Sequence, residues 1–177
     1  MTTLIVEDGS KPAGANTYVG LTEADQYHVN YANVDWAGYD TESRNQALVQ
    51  ATRAVDLLYG ARYQSAIYPS TTQELLFPRM WFEDLNGRIV TDTTIPKCLK
   101  NAVCELALMQ ISGTDILPQK STVKNVKSKS VKAGEVATSV EYFKATDGET
   151  YSGFNKIDIT LRPILKAAET GSWRLTA

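Results

Sequence analysis

A chain of 177 residues, 43% apolar and 21% charged, has the composition of one soluble globular domain that buries roughly 70% of its unfolded surface without disulfide or metal staples. Its formal charge of -2 excludes the broad basic face by which most nucleic-acid binders attract a polyanion, so any such contact has to be local. The start through Asp8 has no basic stretch before an apolar run, and no segment approaches eighteen consecutive apolar residues, so a cytosolic protein that spans no membrane is expected.

Leu4, Ile5 and Val6 predict a short strand or extended arm, followed by a loop through Gly9 and the 12–16 stretch. Thr22 is placed to cap a short first helix in which Ala24, Tyr27 and Tyr31 share helical spacing, up to about Ala32. A second helix opens at Thr41. Ala47, Leu48, Ala51, Val55, Leu58 and Tyr59 trace one stripe in steps of three and four, and Gly60 supplies a stop. From Ala61 to Arg88 the periodicity dissolves into a long loop with an aromatic cluster at Phe77, Trp81 and Phe82 and a turn signal at Asn86-Gly87. A loop of this length in a compact domain is usually functional or contacts a partner.

Pro96 fits the first turn of a third helix, whose stripe of Leu99, Ala102, Val103, Leu106, Ala107 and Met109 runs to a stop at Gly113 and should pack on the second helix. Cys98 and Cys104 fall on different faces of that helix and cannot bond, which leaves them as small apolar residues of a reducing compartment. Residues 122–132 and 135–143 read as two extended runs about a tight turn at Ala133-Gly134, with Val136, Thr138, Val140 and Tyr142 in alternation. Ile157, Ile159 and Leu161 alternate like a strand, and residues 163–168 read as a short helix begun by Pro163. One continuous helix kinked at that proline is the alternative. The chain ends in Ser-Trp-Arg-Leu-Thr-Ala, a frayed tail or an anchor for a groove on another subunit. The fold class expected is mainly α: a single domain over residues 1–177, made of a small helical bundle (about 22–113) with a β-hairpin insertion (about 122–143) and an extended C-terminal tail (about 157–177).

The sets that carry chemistry are missing from the sequence. His28 is alone and is expected at the surface or half-buried. No Cys/His spacing suits a metal, no Gly-rich phosphate loop occurs, and no nucleophile elbow is present. The adjacent acids Glu7-Asp8 and Glu83-Asp84 read as solvated loop residues. A non-enzymatic protein with no cofactor and no metal is therefore expected. One charge run stands out: Lys120, Lys124, Lys127, Lys129 and Lys132, with no acid between them. On regular extended backbone Lys127 and Lys129 share one face, and Lys124 and Lys132 the other. The run reads either as an edge protected from pairing or as contact with phosphates or an acidic neighbour. Phe77, Trp81 and Phe82 could stack on unpaired bases, although core filling or subunit contact suits their setting beside Leu75 and Leu76 better.

Several stretches resemble one family of phage proteins when taken in order. Val6-Glu7-Asp8-Gly9, Ala15-Asn16-Thr17-Tyr18-Val19 and Glu23-Ala24-Asp25-Gln26-Tyr27 are similar to its VEDG, ANSYV and EAD-x-Y. Leu76-Phe77-Pro78-Arg79, Gly87, Ile95-Pro96 and the helix through Ala102 and Glu105 to Leu108 are similar to its WPR, G, IP and A-x-x-E-x-A, with Phe77 where the family usually has Trp. That family is similar to phage head-tail connectors, and its members are often labelled DnaT-like single-stranded DNA-binding proteins. The resemblance implies a head-to-tail adaptor forming a homo-oligomeric ring, commonly dodecameric, between the portal protein and the tail (nozzle or tail-tube proteins). Its place would be the head-tail interface of the virion, after assembly in the host cytoplasm, with packaged DNA passing nearby. It implies portal docking through Leu161, Ile164, Leu165, Trp173, Arg174 and Leu175, and subunit or tail contact through Phe77, Trp81 and Phe82. Lys124, Lys127, Lys129 and Lys132 would meet DNA or an acidic partner. The alternative is a single-stranded DNA-binding module.

Overall fold

The computed structural model describes residues 2–70, 72–117, 126–131, 138–142 and 155–166. The chain divides into two compact units, Met1–Leu117 with Asn155–Ala177, and Pro118–Phe154.

The first unit is built on two helices, α2 (Thr41–Tyr59) and α3 (Lys97–Ile111), which form its main packing pair. Small residues on both stripes let the helices approach closely. Ala47, Ala51 and Ala54 on α2 and Ala102 and Ala107 on α3 are buried, with Leu48, Val55, Leu99, Val103 and Leu106 filling the layer between. Each buried leucine or valine contributes about 1.5–3 kcal/mol over an exposed one. The helix α2 opens at Thr41 as expected, and Asp40 caps it, its carboxylate accepting Ser43 N at 3.0 Å and Ser43 Oγ at 2.6 Å. Gly60 is not a left-handed stop: it continues in right-handed backbone into a 3-10 turn, Gly60–Arg62. Its lack of a side chain serves instead the close approach of Leu76. Gly113, at φ +89°, is a true left-handed stop for α3.

The helix α1 (Leu21–Asn30) begins one residue before Thr22, with Gly20 at the cap position and no side-chain cap. A 3-10 turn after it, Val34–Gly38, has no counterpart in the sequence reading and carries Trp36 into the core. The indole Nε1 donates to Asp25 Oδ1 at 2.7 Å, and Arg44 Nη1 reaches the same oxygen at 2.8 Å. Of the short strand or extended arm expected at the N-terminus, the structure has the arm, with one parallel bridge, Val6 to Thr17.

The long loop is also ordered around two short strands, β1 (Phe82–Glu83) and β2 (Ile89–Val90), which pair antiparallel across the Asn86-Gly87 turn. The Asp84 carboxylate closes that turn by accepting Asn86 N and Arg88 N, each at 2.9 Å. Where alternation suggested a strand near the C-terminus, the structure is closer to the alternative of one helical segment altered at Pro163: α4 (Asn155–Leu161) runs directly into a 3-10 turn, Arg162–Ile164. Ile157 and Leu161 are one helical turn apart and buried, whereas Ile159 between them is 64% exposed. A spacing of two and four fits either period, and packing against α3 selects the helix. Among the described residues no helix is long and apolar enough to cross a membrane.

The second unit contains an antiparallel pair, β3 (Val126–Val131) and β4 (Thr138–Tyr142). The innermost described pair is Val131 with Thr138, so the turn expected at Ala133-Gly134 lies outside the described residues.

Candidate functional site

The aromatic loop is fastened to the helical body by buried polar groups rather than left free. Asp56 on α2 accepts Tyr18 Oη on both oxygens, at 3.0 and 2.8 Å, and Leu76 N at 3.0 Å. Tyr18 Oη in turn accepts Phe77 N at 3.1 Å. Burial pushes the Asp56 carboxyl up to about 6 against these hydrogen bonds, and pushes the Tyr18 hydroxyl well above its ordinary range. Arg79 closes the other side, with Nε on Gln64 O at 2.9 Å, Nη2 on Ser65 O at 2.6 Å and Nη1 on Leu76 O at 3.3 Å. Its guanidinium lies 5.6 Å from the Tyr63 ring centre and 5.8 Å from that of Phe77. Phe77 sits edge-on to Tyr63 at 4.9 Å and to Tyr18 and Phe82 at 6.5 Å.

This geometry changes what the loop can present. Phe77 and Phe82 are core residues, so the subunit contact expected of them would require opening the body. Trp81, 62% exposed, is the one of the three that offers a surface. Leu161, Ile164 and Leu165 are likewise buried, with Leu165 bridging Tyr63, so their apolar surface is used inside the subunit and is not free for docking. Trp173, Arg174 and Leu175 lie outside the described residues.

Lys127 and Lys129 lie on β3, where Lys129 pairs with Val140, while Lys124 and Lys132 lie outside the described residues. The register shifts between Val126 and Ser128, making Lys127 the extra residue of a β-bulge. Six of the 18 Lys and Arg and four of the 20 Asp and Glu fall in residues 118–154, which are thus net +2, while the rest of the chain is net -4.

His28, expected at the surface or half-buried, is 1% exposed and tilted against Trp36 at 4.4 Å. Its Nδ1 lies 3.1 Å from Asn33 Nδ2, and burial lowers its pKa, which keeps the ring neutral. Glu105, buried on α3, accepts Tyr27 Oη at 2.7 Å and Lys156 Nζ at 2.7 Å, joining α1, α3 and α4. Glu7 is buried rather than solvated, and its Oε1 accepts Gly9 N at 2.9 Å and Lys11 N at 3.0 Å. An open cleft beside Asp56, lined by Val49, Arg53, Leu57 and Glu74, brings no nucleophile together with a base. Among the described residues no group of three metal-ligating side chains converges.

Asp56, Arg79, Glu105 and Glu7 were not singled out by sequence reasoning as joints of the fold. Three of them, Glu7, Arg79 and Glu105, stand in the motifs that carry the family resemblance, and for Arg79 and Glu105 the signal that could have found them is a charged residue among apolar neighbours. Those motifs therefore encode the body's internal fastening. No curated protein and no solved structure is found to match the chain. A family model does match, over residues 2–176, and the chain belongs to the family described as "Putative DnaT-like ssDNA binding protein".

Proposed function

We propose that the chain is a non-enzymatic protein that binds single-stranded DNA without sequence preference, through the lysines of residues 118–154. The observation that carries this reading is the match of nearly the whole chain to a family so described, in a protein whose one acid-free run of lysines includes Lys127 and Lys129 on β3. With Phe77 and Phe82 in the core, the hairpin contact is one of phosphates and not of stacked bases. Lysines that neutralise phosphates release condensed counterions, so affinity falls steeply with salt, by about 0.7 in log K per contact and unit of log salt on a single strand. Four lysines at 124, 127, 129 and 132 then give a slope of about -3. Substituting all four by Gln should flatten that slope and weaken binding at low salt. An unchanged slope would remove the hairpin from the interface.

A head-to-tail adaptor ring between portal and tail is the second reading. It is favoured by the hairpin's forming a unit of its own with two described strands, since an isolated two-stranded ribbon is marginal in water and neighbouring copies would cover it. Exposed Val29, Tyr31 and Val34, at the end of α1 and the turn beyond it, add apolar surface for a neighbour. Native mass spectrometry of the chain with and without a portal protein tests this reading. A closed ring on the portal supports it, and a monomer that ignores the portal rejects it.

A further inference from the structure

Three segments of the first unit meet at one surface and are tied by backbone hydrogen bonds. Gln64 N donates to Ile164 O at 3.0 Å, Lys166 N to Arg62 O at 2.7 Å and Leu85 N to Pro163 O at 2.9 Å, while Met80 N donates to Ala66 O at 2.9 Å. Ile67 bridges Arg79, and Tyr63 bridges Leu165. The segments 61–67, 79–89 and 161–166 thus form a contiguous face that includes β1, β2 and the 3-10 turn after α4.

That face carries four exposed cations, Arg62, Arg88, Arg162 and Lys166, in a unit whose overall charge is negative. Three acids stand beside them, and they leave Arg162 and Lys166 outside the ion pairs with Arg62 and Arg88. Asp84 is buried and paired with Arg88 at 3.0 Å, Asp158 lies 3.5 Å from Arg62, and Glu83 is exposed opposite Ile89. On the same joined segments the indole of Trp81 is exposed, its carbonyl accepting Ser65 Oγ at 3.5 Å, and Met80 and Ile89 are also open to solvent. Cations that hold phosphates around an aromatic face that receives a base are the two parts of a single-strand platform, and stacking tolerates any sequence because every base has a π-face.

We infer that this face is a nucleic-acid contact separate from the lysine hairpin, in which Trp81 stacks on an unpaired base and Arg62, Arg162 and Lys166 hold the flanking phosphates. The inference rests on the single-strand reading of the family. Charge complementarity selects the occupant, because the cations and the indole match a polyanion with exposed rings.

The test uses the full chain carrying Trp173→Phe, so that Trp81 reports against the buried Trp36, titrated with oligo-dT and with oligo-rU. Bound strand should quench the Trp81 fluorescence. Trp81→Ala should weaken binding about tenfold, a typical loss for one stacked base, with its thermal unfolding midpoint little changed. The combined variant Arg62→Gln, Arg162→Gln, Lys166→Gln should lower the salt slope by about 2. Binding by the hairpin with no quench and no loss in either variant would overturn this face while leaving the hairpin reading intact. No binding by the full chain at low salt would overturn both. A change of oligomeric state in Trp81→Ala with DNA affinity unchanged would reassign the face to a protein contact and overturn the inference.

Discussion

Replacing Asp56 by Asn should make the stability difference between the two proteins depend on pH. In the folded chain burial raises the Asp56 carboxyl from 3.8 to about 6, although the Leu76 N-H, the Tyr18 hydroxyl, Arg79 and Tyr63 all favour the charged form. A folded-state value above the unfolded one means that the fold prefers the neutral acid. The stability this group contributes is therefore complete below its unfolded value and is lost as pH rises through about 6. The span from 3.8 to about 6 corresponds to about 3 kcal/mol. The Asn variant gives up about 1 kcal/mol of hydrogen bonding at any pH, because one amide oxygen replaces two acceptors, but it does not titrate. Urea unfolding of both proteins followed by circular dichroism, from about pH 4 to about pH 7, should show the variant gaining about 2 kcal/mol relative to the wild type, the remainder having been lost already below pH 4. Other titrating groups cancel in the difference. A difference flat to within about 0.5 kcal/mol would refute the reasoning that Asp56 is ionised at a cost to hold the loop.

Phe77→Ala should cost about 3–5 kcal/mol and lower the thermal midpoint, because the ring fills the space between Tyr18, Tyr63 and Phe82. A loss below about 1 kcal/mol would contradict the core-filling role and return this residue to the subunit contact that the family resemblance implies. Gly9→Ala should cost at least about 1–3 kcal/mol, since Gly9 sits at φ +104° and an added methyl would run into the carbonyl of Thr93. Unchanged chemical unfolding of that variant would contradict the packing of this loop. Replacing Lys124, Lys127, Lys129 and Lys132 by Gln should leave the unfolding midpoint of the helical unit unchanged while reducing DNA affinity. A shifted midpoint would show that the lysines serve folding.

The parts of the fold legible in the sequence are those governed by local periodicity. The α2 stripe from Ala47 to Tyr59, the α3 stripe after Pro96 and the left-handed stop at Gly113 follow from helical spacing and backbone freedom, and all are present. The α4 segment was ambiguous because Ile157, Ile159 and Leu161 satisfy a period of two as well as one of four, and the choice depends on α3, more than forty residues away. The loop from Ala61 to Arg88 was illegible for the same reason. Its order comes from Asp56, Tyr18 and Pro163, partners distant in the chain, whereas local composition reports only turns and aromatics. Of the candidate site, the lysine run was visible as charge, but the bulge at Lys127 was not, because a register shift leaves no mark in composition. Trp81 and the exposed cations Arg62, Arg162 and Lys166 stand on three segments far apart in the chain that only the backbone hydrogen bonds between them bring together.

The central claim, single-strand binding driven by phosphate contacts, is tested most directly by fluorescence anisotropy of labelled oligo-dT with the full chain across a range of salt concentrations. The account predicts binding at low salt that weakens as salt rises, with a log-log slope of about -3 or steeper. No binding at the lowest salt, or binding indifferent to salt, would contradict it.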